Sequence, residues 1–74
     1  MICLQVQDTY GRPVAGARVR SRAAIGVSGR TGECALPRDG DVTQAEVSHA
    51  GYLSTVVYIP TDQFIASVVL TPTD

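Results

Sequence analysis

The side chains with which this chain could do covalent or metal chemistry are few: one histidine, two cysteines and seven carboxylates among 74 residues. His49 stands beside Ser48 in "VSHAGY". A serine nucleophile needs a base oriented toward it, and adjacent residues of an extended strand point to opposite faces. The pair therefore does not assemble a nucleophile and its base, and a lone histidine near a turn reads as structural. "RDGD" brings Asp39 and Asp41 together. Calcium takes about six to eight oxygen ligands and the neighbouring residues supply no others, so these aspartates read as turn residues. Two cysteines without a second close-set pair of ligands make no zinc site. The expectation is a chain with no catalytic residue, no metal and no cofactor.

Cys3 and Cys34 also raise the question of a disulfide, which would help a core this small. Their strand parities disagree. Cys3 lies opposite the apolar face of "ICLQVQ", whereas Cys34 takes a core position in "ECAL". A bridge needs both Cβ atoms to converge, so free thiols are predicted, with Cys34 acting as a small buried hydrophobe.

The most distinctive surface feature is a stripe of arginines. In "ARVRSR", Arg18, Arg20 and Arg22 alternate with small or apolar residues, which places them on one face of a strand about 6.6 Å apart. Such a stripe could grip phosphates, an acidic sugar or an acidic protein surface. The plainer reading is a solvated strand face with acidic residues across from it, and long charged side chains also protect an exposed strand. Nucleic-acid binding calls for a basic balance and stacking aromatics. The net charge is −1 and aromatics make up 5% of residues. With the pI near 5.6, no global field draws nucleic acid or membrane. All six basic residues are arginine, and lysine and asparagine are absent. Protein contact is the best functional role for the stripe, and no small-molecule substrate is indicated.

The elements that must position these residues are strands. The composition, 45% hydrophobic and 18% charged, is that of a globular chain. Apolar residues alternate with period two in Ile2 to Gln7, Ala17 to Arg22 and Ala45 to His49, and "ECAL" is a short fourth run. "LSTVVYI" and "FIASVVL" are rich in β-branched residues. Turn chemistry separates them in "DTYGRP", "SGRTG", "PRDGD", "HAGY" and "PTD". This spacing predicts one all-β domain over residues 1–74, a small antiparallel sandwich of six to seven strands with no helix. Nothing approaches the ~20 apolar residues of a spanning helix. "MICLQVQD" is no signal peptide.

"QDTYGRPVAGARV" has the chemistry of a crossover between strands. Asp8 is predicted to cap a turn through its carboxylate, with Gly11 supplying the positive φ that closes it. Pro13 cannot donate to a sheet ladder and marks a loop or edge. Gly16 and Ala17 let the backbone lie close against a neighbouring layer.

In these residues the chain resembles the carboxypeptidase regulatory-like domains, small transthyretin-like or Ig-like sandwiches. Asp8, Gly11, Pro13, Val14, Gly16, Ala17 and Val19 fall on that pattern. So do Gly32 and Leu36 in "GECALP", then Val47, Ser48, Gly51 and Tyr52, and the closing "VVLTP". Two departures stand out: Ser28-Gly29 replaces a threonine-aspartate pair, and Cys34 replaces an aromatic, which should shrink the core or make room for a neighbour. The resemblance implies a non-catalytic accessory. Enzymes on a similar sandwich use clusters of histidine and arginine or metal-binding tyrosines and histidines, which a single histidine does not allow. A lysine–asparagine isopeptide lock is likewise excluded in that form.

The last two runs carry the sharper hint about function. Leu53, Thr55, Val57 and Ile59 share one parity, matched by Phe64, Ala66, Val68 and Leu70. The opposite parity is also apolar: Val56, Tyr58, Ile65 and Val69. A sheet with one wet face alternates cleanly, so these four side chains are expected to form one partner-facing surface, covered by another protein or by a second copy. A bulge that shifts the register is the plain alternative. The function expected is that of a structural or protein-interaction module, a small subunit or decoration protein of a larger assembly such as a virion. That expectation takes the initiator methionine and the lack of an export signal to mean a complete chain. The alternative is a carbohydrate-contacting accessory domain of a secreted bacterial protein.

Overall fold

The structure, a computed structural model, describes residues 1–22, 24–38 and 40–73. Seven strands follow one another: β1 (Ile2–Asp8), β2 (Arg18–Ser21), β3 (Ile25–Val27), β4 (Glu33–Leu36), β5 (Val42–Ser48), β6 (Thr55–Pro60) and β7 (Ile65–Leu70). They form two sheets, one in the order β4-β1-β7 and the other in the order β3-β2-β5-β6. Every ladder is antiparallel except β1 with β7, which run parallel. The sandwich is thus antiparallel-rich rather than wholly antiparallel. β3 was not delimited in the sequence, because three residues around a glycine carry no alternation long enough to read.

The core follows from strand parity. Ile2, Leu4 and Val6 of β1, Val19 of β2 and Leu36 of β4 turn inward and are buried. They meet Ala45 and Val47 of β5, Ile59 of β6, and Ala66, Val68 and Leu70 of β7. Each large apolar side chain in this set contributes about 1.5–3 kcal/mol through burial. Cys34 joins the core opposite Leu4, while Cys3 sits opposite Ala35 on the outer face. The two thiols are free, on opposite sides of the sheet. No aromatic fills the place of Cys34; the β3 backbone comes close instead. A Cβ built on Gly26 would lie 2.9 Å from Cys34 Sγ.

Asp8 continues the inward row of β1, yet it is polar because the chain turns there. Its Oδ1 accepts from the Tyr10 N–H at 2.9 Å and the Arg12 N–H at 3.0 Å, and Oδ2 takes the Arg12 Nε–H at 3.2 Å. The Arg12 N–H, with lesser help from the Tyr10 N–H and the Arg12 guanidinium, holds this carboxyl below its ordinary range against the opposing effect of burial. Gly11 closes the turn at φ +81°. The chain then crosses from one sheet to the other, and Ser28 staples the crossing. Its Oγ accepts from the Ala17 N–H at 2.9 Å and donates to the Val14 carbonyl at 2.7 Å. Its backbone exchanges further bonds with Gly16 and Ala17, each at 2.9 Å.

A second crossing joins β6 to β7. The guanidinium of Arg38 donates to the carbonyls of Pro60, at 2.9 Å, and Gln63, and lies 4.9 Å from the Phe64 ring centroid. This crossing places two strands that are neighbours in the chain in different sheets.

Candidate protein-docking surface

The outer face of the four-stranded sheet gathers most of the side chains singled out by type and spacing. The register sets Arg20 between Ile25 of β3 and Glu46 of β5, and Glu46 in turn opposite Val56 of β6. The adjacent row runs from Val27 through Arg18 to Ser48. On the other side, Gln44 stands opposite Tyr58. An arginine row is therefore flanked by two apolar margins, Ile25 with Val27 and Val56 with Tyr58. All four margin residues are exposed, Ile25 by 68% and Tyr58 by 64%.

The arginines do not behave alike. Arg20 Nη2 pairs with Glu46 Oε1 at 2.7 Å, the cross-strand acidic partner of the plainer reading, and such a surface pair contributes about 0–1 kcal/mol. Arg18 makes no ion pair among the described residues; it borders a hollow lined by Gly16, Ser48, His49 and Ala50. Arg22 lies beyond the end of β2 and lines a shallow groove with Arg20, Ser21, Gln44, Glu46 and Val56.

The expected single surface of Val56, Tyr58, Ile65 and Val69 is not formed. Val56 and Tyr58 project from the four-stranded sheet, whereas Ile65 and Val69 project from the three-stranded one, on the opposite side of the sandwich. Outward parity is right for all four, and no bulge interrupts the ladders of β6 or β7. Ile65 lies in register with Cys3 and Ala35, and Val69 with Gln7. Sequence reasoning missed Ile25 and Val27 as members of the candidate surface. Their signal is present in the sequence as a β-branched pair two residues apart, but it reads as a loop without its pairing to β2.

The remaining chemistry-bearing residues are locally engaged. His49 Nδ1 lies 2.7 Å from the Ala50 carbonyl, and its ring packs edge-on to Tyr52 with centroids 5.4 Å apart. Among the described residues no three His, Cys, Asp or Glu side chains gather as metal ligands would. Asp41 is exposed, and Asp39 lies outside the described residues. Burial, and secondarily the neighbouring Cys3, pushes the Cys34 thiol up.

With this geometry the chain can be compared with known proteins. A solved structure of the Caf1A usher C-terminal domain superposes on it. The TM-score is 0.64 at 12% identity, over 99% of this chain and 98% of that one. The fold is shared. In that domain, conserved hydrophobic clusters on the surface are important for F1 antigen assembly. No family model matches the chain, so the likeness to carboxypeptidase regulatory-like domains rests on the residues quoted above. No curated protein matches it in sequence.

Proposed function

We propose that this chain is a non-enzymatic protein-interaction module, and that the outer face of its four-stranded sheet is the docking surface. One observation carries the reading: Ile25, Val27, Val56 and Tyr58 flank Arg18 and Arg20 on a single face. Tyrosine and arginine set among apolar side chains are the residue types that dominate binding energy at protein interfaces. The partner that fits is a protein surface with apolar patches to meet the two margins and a carboxylate to meet Arg18. The usher domain of similar fold supports the reading, since apolar clusters on its surface serve an assembly. The setting we favour is a subunit of a larger assembly, of which a virion decorated by this chain is one version. Kinship with carboxypeptidase regulatory-like domains, whose members are mostly accessories, fits the same role.

The test uses the tagged chain in its source cells, cross-linked before purification. Its cross-linked proteins are compared with those of Val56→Thr/Tyr58→Ser and Arg18→Ser, and with those of Ile65→Thr/Val69→Thr on the other sheet. The reading expects one protein to be lost in the first two and kept in the third, and its capture by the wild-type chain to weaken as the salt present before cross-linking rises. The same proteins in all four preparations would show that this face is not the contact.

A further inference from the structure

The sandwich leaves four strand edges open, and three of them are guarded. β3 is three residues long. β4 is four residues long, begins with Glu33 and is followed by Pro37. β6 ends in Pro60, which has no N–H to offer. These are ordinary ways of preventing edge-to-edge pairing. β7 has none of them along its own length: Gly51 and Leu53 bond to Thr73 and Thr71 just beyond its end, on either side of Pro72, and leave Ile65–Leu70 uncovered. Its six residues, "IASVVL", include no charge, no proline and no glycine.

The direction of its free backbone groups can be read from two bonds. The Cys3 N–H donates to the Phe64 carbonyl, so in the parallel ladder the even-numbered residues of this strand turn their polar groups toward β1. Ile65, Ser67 and Val69 then turn theirs to the open side. The Ile65 carbonyl accepts from the Gln63 side chain at 2.8 Å rather than from β1, as that direction requires.

We infer that β7 pairs antiparallel with β7 of a second copy about a two-fold axis through Ser67, joining two three-stranded sheets into one of six strands. In this register Ser67 faces Ser67 of the second copy, and Ile65 faces its Val69. Ala66 faces its Val68. Every residue whose N–H and carbonyl point outward meets another of the same kind, so both bonds of each pair form once the Gln63 side chain gives up the Ile65 carbonyl to the Val69 N–H of the second copy. Side-chain faces also agree. Ile65 and Val69 make apolar cross-strand pairs on the outer face, while Ala66 and Val68 extend the two cores toward each other. Pairing about Ala66 or Val68 also matches parity but loses one outward pair from the strand. No like charges meet, because the strand has none. This isologous contact is closed and stops at two copies. It also gives Ile65, exposed by 70%, a neighbour, and it leaves the proposed docking face of the other sheet free.

Sedimentation of the wild-type chain across a concentration series is the test, with Ser67→Pro as the main variant. Proline is tolerated on an edge strand where the N–H faces solvent, so the monomer should keep its strand spectrum and lose the two central bonds. The dimer dissociation constant should rise about tenfold or more. A Ser67→Lys chain should associate weakly, and mixing it with Ser67→Glu should restore a dimer, which covers the case in which the proline chain does not fold. In the wild type, protection of the Ile65, Ser67 and Val69 amides from hydrogen exchange should increase with protein concentration. A wild-type chain that stays monomeric up to about millimolar concentration overturns the proposal. So does a dimer that ignores both Ser67 charges and leaves those amides unprotected.

Discussion

Replacing Gly32 by alanine probes the point where the turn before β4 touches the backbone of β1. Gly32 has φ +83°, and a Cβ there would lie 2.3 Å from the Val6 carbonyl oxygen and 3.3 Å from Pro13 Cβ. The carbonyl cannot easily retreat. It accepts from the Val14 N–H at 3.0 Å, while the Val6 N–H donates to Gly32 at 2.7 Å. Two costs therefore add. A left-handed conformation costs a non-glycine residue about 1–2 kcal/mol, and overpacking costs about 1–3 kcal/mol more. Gly11 separates them, since it has nearly the same φ, +81°, with nothing within 4 Å of its Cβ position. Gly11→Ala should carry only the first cost, reduced by about 0.4–1 kcal/mol through the stiffer unfolded chain. Total stability for a domain of this length is roughly 4–11 kcal/mol, so Gly32→Ala should remove a large share of it. Urea and thermal melts followed by far-ultraviolet circular dichroism measure both variants. A difference of 1 kcal/mol corresponds to about 4–8 °C in Tm at this size. Gly32→Ala is expected to melt at least about 10 °C below wild type, and Gly11→Ala much closer to it. Equal destabilisation of the two variants would refute the close approach of this turn to β1.

Ser28→Ala should cost about 2–4 kcal/mol, because the Ala17 N–H and the Val14 carbonyl both lose their buried partner; a urea midpoint like that of wild type would contradict the staple. In the folded chain Cys3, partly exposed, should react with a thiol reagent well before Cys34, whose buried thiol is pushed up and is the less nucleophilic for it. Timed alkylation with peptide mapping reads the order, and urea should abolish it. Asp8, held below its ordinary 3.8 in the fold, contributes stability that is fully present above that value and is lost as pH falls through the folded one. Melts of wild type and Asp8→Asn should thus differ at neutral pH and converge below about pH 4; a constant gap down to pH 2 would mean that the carboxylate charge is not what holds the turn.

Much of this architecture was legible in the chain because strand parity is a local property. The alternation in "ICLQVQ" was enough to turn Ile2, Leu4 and Val6 inward and to part Cys3 from Cys34. The turn at Asp8 and Gly11 was equally readable, since a carboxylate and a residue free to take positive φ are its local requirements. Outward parity of Val56, Tyr58, Ile65 and Val69 was read correctly as well. Parity says only whether a side chain faces in or out. It does not say out of which sheet, and that depends on pairing between residues distant in the chain. β6 finds β5 while β7 finds β1, so one apparent patch becomes two on opposite sides of the sandwich. The parallel course of β7 beside β1 and the place of Ile25 and Val27 on the outer face of the four-stranded sheet are settled in the same way. A strand of three residues has too little local preference to declare itself, and only the ladder to β2 makes it one.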